Sequence, residues 1–99
     1  VKIIDFKTVS PLFEMERDGE KPFTTRKIEK GDKRFRALSQ WQPAYHWGIR
    51  ITNPATGGSF IREIVNVSFL WHFNQSYNNK SHGLTALYDW RIIIMGAAL

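Results

Sequence analysis

The chain contains no cysteine, which excludes disulfides, thiolate nucleophiles and thiolate metal ligation and suits a reducing compartment. Long apolar runs are also missing. None approaches the roughly 20 residues that span a bilayer, and no opening stretch joins a basic flank to a long apolar core. The expectation is a cytoplasmic protein with no membrane partner. Histidine is sparse: His46, His72 and His82 are scattered and poorly supplied with acidic neighbours, so neither a metal nor a cofactor is expected. Gly57-Gly58 lacks the Lys and Ser or Thr arrangement of a phosphate loop and reads as a turn. No internal repeat, low-complexity tract or second domain stands out, and residues 1–99 are read as one domain. Acidic residues are outnumbered, nine against 14 Lys and Arg, for a net charge of +5. That excess favours encounter with nucleic acid or an anionic substrate without fixing specificity.

What is present is an apolar fraction of 42%, enough for a modest core. Ile3, Ile4 and Phe6 read as a short opening strand. Ser10-Pro11 reads as a helix start with the serine as cap, and the helix runs through Leu12, Phe13, Met15 and Glu16 until Asp18-Gly19 stops it. Phe23 to Ile28 reads as a strand with Pro22 at its entry, Glu29-Lys30-Gly31-Asp32 as a turn, and Phe35-Arg36-Ala37-Leu38 as a further strand. Ile49 and Ile51 alternate with Arg50 and Thr52 up to Asn53-Pro54, and Thr56-Gly57-Gly58 is the clearest hairpin connector. Phe60 to Phe69 alternates strongly through Ile61, Val65 and Val67. Asn74 to His82 reads as a polar surface loop, Leu84 to Leu87 as a brief helical turn, and Trp90 to Met95 as a closing strand. The sum is mainly β with short helices, a sheet expected to curl into a small barrel that buries its edges.

The pattern Gly19-x-Lys21-x-x-Thr24-x-Arg26, preceded by a Phe-containing helix and followed by the Gly31-Asp32 turn, resembles the ASCH superfamily. That resemblance implies a small PUA-like β-barrel and a role in binding RNA or in RNA-related processes. More narrowly, several features in this order are similar to the small phage and bacterial ASCH-like proteins of the DUF3850 group. They are the helix-Gly-Lys entry, the strand with Phe23 and Arg26, the Thr56-Gly57 hairpin followed by Arg62-Glu63-Ile64, and Gly83-Leu84 before the closing strand. This implies action in a bacterial cytoplasm, with phage origin as one source. The usual ASCH motif carries Glu where this chain has Thr24. There the chain resembles the N4-acetylcytidine amidohydrolases, small bacterial ASCH enzymes that combine Lys, Thr and Arg at this spacing. By that resemblance Lys21 is the nucleophile or base, Thr24 activates or orients it, and Arg26 holds substrate or stabilises the site. Those enzymes also use a carboxylate from a later segment, whereas residues 74–85 here contain no Asp or Glu.

The residues themselves support a chemical and a bland reading side by side. A protonated lysine is a poor nucleophile, so catalysis by Lys21 requires desolvation or a nearby cation such as Arg26 to lower its pKa. Thr24 and Arg26, two apart on a strand, share a face. Glu63 and Asp89 are the late carboxylates available to supply the missing acid. In the bland reading Lys21 is a solvated cation, Thr24 an ordinary strand residue and Arg26 an ion-pair partner that closes the barrel. A nucleic-acid face would draw on Lys21, Arg26, Lys27, Lys33, Arg34 and Arg36 for phosphates. Trp41, Tyr45 and Trp47, around His46, would form a stacking rim for unpaired bases, weighed evenly against burial in the core. Phe35, Trp71 and Trp90 are expected to be structural. Three functions follow. The first is capture of RNA or another nucleic acid in a basic cleft containing Lys21 and Arg26. The second is hydrolysis of an acylated nucleoside such as N4-acetylcytidine. The third is binding of a host protein through Trp41 to Trp47.

Overall fold

A computed structural model describes residues 2–69 and 88–99. The elements are strand β1 (Ile3–Lys7), helix α1 (Leu12–Arg17), β2 (Phe23–Glu29), α2 (Lys33–Gln40), β3 (Gly48–Thr52), β4 (Ser59–Phe69) and β5 (Tyr88–Ala98). The strands make one sheet in the order β1-β3-β4-β5-β2. It curls into a half-barrel, so the fold is mainly β with two short helices. β1 runs parallel to β3, and every other pairing is antiparallel. β1 and β2, which carry the first third of the sequence, are therefore the two edges of the sheet.

Local chemistry explains most of these elements. Gly19 and Gly57 have φ of 83° and 76°, a region open to glycine at little cost. The first ends α1 and the second completes the turn between β3 and β4. In that turn Asn53 Oδ1 accepts from the Ala55 amide at 3.0 Å, an Asx turn that lets the chain reverse after Pro54. Ile49 and Ile51 are fully buried, in keeping with the strong alternation of β3. In β4 the register shifts between Arg62 and Ile64 and again between Ile64 and Asn66. Such bulges turn side chains off strict alternation, leaving Ile64 buried and Val65 48% exposed. Arg91, Ile93 and Met95 of β5 point inward. The core gathers Ile4, Phe6, Phe13, Ile28, Leu38 and Ile93 with the β3 isoleucines, Ile64 and Met95.

The segment expected as a strand over Phe35–Leu38 is helical, forming the middle of α2. The reason is the residue before the helix: Asp32 is extended and its side chain accepts from the Arg34 amide at 2.8 Å, an N-cap that commits the chain to a helix. Phe35 and Leu38 then lie three apart on one face, with Leu38 and Ala37 buried and Phe35 packed against the core. No β-branched residue occurs between Lys33 and Gln40 to oppose this choice. Ser10 also differs from expectation. Its hydroxyl donates to Glu14 Oε1 at 2.5 Å rather than capping a backbone amide, and α1 has no side-chain cap.

The expectations for Trp71, His72, the 74–82 loop, His82 and the 84–87 turn lie outside the described residues. Among the described residues no helix is long and apolar enough to cross a membrane.

Candidate functional site

The two edge strands leave a seam. In β1, the Thr8 amide donates to Thr52 O at 3.1 Å and Lys2 O accepts from the Gly48 amide at 2.8 Å. Even-numbered residues therefore face β3, and the carbonyls of Asp5 and Lys7 face the open edge. Unpaired edge groups invite pairing with another chain unless they are covered. Two arginines cover them: Arg26 Nη1, from β2, donates to Lys7 O at 2.7 Å, and Arg34 Nη1, from α2, donates to Asp5 O at 3.0 Å. Arg26 Nη2 also donates to the Thr8 hydroxyl. Side chains thus bridge a seam that strand pairing does not close. The Phe6 ring supports both guanidinium groups, with centroid distances of 4.9 Å to Arg26 and 4.6 Å to Arg34, a cation–π arrangement.

This seam opens outward as a cleft of about 580 Å³ whose wall includes Asp5, Lys7, Arg26, Lys27 and Arg34. Cations dominate it. Asp5, its one carboxylate among the described residues, pairs with Arg50 Nη1 at 3.1 Å. Arg34 is held by Asp32, with Nη2 to Oδ2 at 2.6 Å. Hydrogen bonding to Arg34 lowers the Asp32 pKa and, reciprocally, raises that of Arg34. Burial lowers the Arg26 pKa, opposed by the charge of Glu16 and reinforced by that of Arg34, and a guanidinium still remains protonated at neutral pH.

Behind Arg26 lies a second cluster. Glu16 of α1 is only 1% exposed. Its Oε2 accepts from Lys21 Nζ at 2.9 Å, and Arg26 Nη2 stands 4.0 Å from Oε1. Oε1 has no hydrogen-bond partner among the described residues. Thr24, 2% exposed, accepts from Arg26 Nε at 3.0 Å. The Lys21 backbone amide donates to Met15 O at 3.0 Å, folding the chain after α1 back so that the ammonium meets the carboxylate. The cluster therefore combines a buried acid with an open lone pair, a lysine held as its ion-pair partner, a shielded hydroxyl and a guanidinium.

The structure brings Lys21, Thr24 and Arg26 together: Glu16 joins Lys21 to Arg26, and Arg26 in turn holds Thr24. Lys21 does not line the seam cleft; Arg26 does. Glu63 sits beside His46, Nδ1 to Oε1 at 3.4 Å, and pairs in register with Gly48. Asp89 pairs in register with Ile28. Lys27 and Arg34 line the cleft. Lys33 lines an adjoining groove with Lys2, Asp5 and Arg34, and Arg36 is exposed on α2. Trp41 and Trp47 pack partly against the core, with Tyr45 stacked on Trp47 at a centroid distance of 5.2 Å. Among the described residues no three His, Asp or Glu gather to hold a metal ion.

Two residues escaped sequence reasoning. Glu16 follows Phe13 by three, which puts it on the apolar face of α1, and a lone carboxylate on such a face was the available signal. Arg91 is buried on the inward face of β5, opposite Arg26 in register. It spans the Phe35 ring at 4.6 Å and reaches Ser39 Oγ at 3.2 Å, tying α2 to the sheet. Its position between Trp90 and Ile92, at the inward phase of the strand, was the corresponding signal. Comparison with protein-family models, with curated proteins and with solved structures gives no match.

Proposed function

We propose that the protein captures nucleic acid, RNA foremost, in the seam cleft between β1 and β2. The observation that carries this reading is the charge of the cleft wall: Lys7, Arg26, Lys27 and Arg34 line it with a single carboxylate among the described residues, Asp5, which is paired with Arg50, while Arg34 is itself paired with Asp32. Arg26 and Arg34 supply fixed positive charge because their forks are anchored on β1. Lys7 and Lys27 are exposed and meet phosphates directly. Phosphate attraction gives affinity and approach without selecting sequence. Lys21 belongs to the inner cluster and acts on the cleft only through Arg26.

Titration of labelled single-stranded RNA, duplex RNA and DNA at two salt concentrations tests this. Every cation that stops neutralising a phosphate reduces the salt slope for a single strand by about 0.7. A Lys7→Ala/Lys27→Ala variant should therefore bind more weakly, with a slope shallower by roughly 1.4, whereas Lys21→Ala should leave the slope unchanged. Absence of binding by the folded protein to any of these ligands overturns the reading.

A second reading, hydrolysis of an acylated nucleoside amide, rests on Glu16 as the base, because Lys21 is engaged as its ion-pair partner and is not the free amine that attack requires. Beside Lys21, Thr24 and Arg26, Glu16 provides the carboxylate for which the 74–85 segment has no residue. The Thr24 hydroxyl is nearly inaccessible in this arrangement, which suits a positioning role better than attack on substrate. Acetate release from N4-acetylcytidine, abolished in a folded Glu16→Gln variant, is the expected signature. No release sinks this reading and leaves nucleic-acid capture standing.

A further inference from the structure

A concavity of about 460 Å³ lies beyond the C-terminus of α2, walled by Ser39, Gln40, Trp41, Gln42, Tyr45 and Trp47. Its aromatic residues are neither wholly core nor wholly surface. Trp41 and Trp47 are fixed from behind by packing on the core, while Tyr45 is 38% exposed and stacks on Trp47 with 25° between the ring planes. Rings held in place on one side form a platform that orders little more on binding. The Gln40 and Gln42 amides, both exposed, add donors and acceptors at the rim. Trp41 Nε1 is shielded from solvent and has no hydrogen-bond partner among the described residues. A shielded N–H is out of reach of an arriving base, so recognition here falls to the ring faces and the glutamine amides.

A series of basic residues leads from the seam toward the concavity. Asp5 and Arg34 line both the seam cleft and the groove beside it, which also contains Lys2 and Lys33. Lys2 Nζ in turn lies 5.1 Å from the Trp47 ring centroid. A phosphate backbone following Lys7, Arg34, Lys33 and Lys2 arrives at the aromatic platform. Base pairs in a duplex are stacked on both faces and cannot also lie on a protein ring; an unpaired base can.

We infer that the Trp41–Tyr45–Trp47 concavity is a base-stacking subsite, so that the ligand is a single strand whose phosphates occupy the basic groove. This rests on the nucleic-acid reading of the seam cleft and adds to it the strandedness of the ligand and the residues that select it. Every base has a π-face, so the subsite tolerates any sequence.

The test compares three probes on the full chain at one low salt concentration: an oligouridylate octamer, an abasic octamer with the same phosphates, and a duplex of equal length. The octamer with bases should bind most tightly. Tyr45→Ala should weaken it roughly tenfold, to the level of the abasic strand, without altering abasic binding or the salt slope. Tyr45→Phe should retain the wild-type preference. Equal affinity of the wild type for the two octamers, or duplex binding as tight as single-strand binding, overturns the subsite while leaving capture by the basic cleft intact. No binding of the abasic strand or the duplex overturns the cleft reading. If the base-bearing strand is not bound either, the subsite falls with it, and the aromatic face becomes a candidate for a protein partner.

Discussion

The two sides of Arg26 have opposite electrostatic character. Inward, Glu16 is buried and meets Lys21, with Arg26 close by. Outward, the seam cleft collects cations around an acid already paired elsewhere. A buried charge must be compensated where it stands, because desolvation costs several kcal/mol per ion. A charge in an open cleft can be left for water or an arriving phosphate to satisfy. The same basic composition thus serves as internal glue on one face of Arg26 and as attraction for a ligand on the other.

The largest expected effect comes from breaking the inner side. Glu16→Gln leaves two cations without their acid, and removing one member of a buried pair costs about 3 kcal/mol. Lys21 is 20% exposed and can turn toward solvent, which keeps the cost at the lower end. In a chain of this size the midpoint of thermal unfolding should fall by roughly 10 °C or more. A loss below about 1 kcal/mol would mean that Glu16 is no anchor, and the contrast between the two sides would disappear.

Arg26→Lys tests the boundary between the sides. One ammonium cannot reproduce a fork that reaches Lys7 O, Thr8 and Thr24 from separate nitrogens. Chemical denaturation should show a loss of about 2 kcal/mol, with each hydrogen bond worth about 1. Hydrogen exchange should rise in β1 more than in β4, whose ladder to β5 does not depend on this side chain. Uniform exchange across the sheet would show that the arginine does not hold the seam.

The smallest effect concerns the outward side and acid pH. The Asp32 pKa is lowered by its hydrogen bonds to Arg34, so the folded state binds fewer protons than the unfolded state in the acid range. Its contribution to stability is therefore complete above the ordinary carboxylate value of about 3.9 and is lost as pH falls through the lower folded value. Asp32→Asn keeps an acceptor for the Arg34 amide but removes the charge. Its destabilisation relative to wild type should be a few tenths of a kcal/mol near pH 7 and vanish once the pH has fallen below the lowered folded value. A difference that persists unchanged in acid would assign the effect to the cap rather than the ion pair.

Sequence legibility followed the range of the interactions. The Asp18-Gly19 stop, the Thr56-Gly57 turn and the inward isoleucines of β3 depend on neighbours a few residues away, and they were legible. The i, i+2 spacing of Thr24 and Arg26 likewise placed both on one face of β2. The strand expected over Phe35–Leu38 failed because four residues do not separate a period of two from a period of three to four. The Asp32 cap decides it, and in sequence that residue reads equally well as the end of a turn. In β4 the bulges displaced Val65 from the core, although its alternation with Val67 is regular in sequence. Glu16 was legible only as a helix residue, since its value depends on where Lys21 and Arg26 arrive.

By itself the sequence determined a mainly β chain with basic character, the turns that divide it and the shared face of Thr24 and Arg26, because each is set by local backbone preference and composition. Tertiary structure alone decided that β1 pairs parallel to β3 and lies at the opposite edge from β2, leaving a seam for Arg26 and Arg34 to bridge. It also decided that Glu16 is the acid beside Lys21, and that Asp5 and Arg34 line both the cleft and the groove holding Lys2, whose ammonium lies beside Trp47. These are contacts between residues distant in the chain, and their energies depend on burial and geometry that no local pattern encodes.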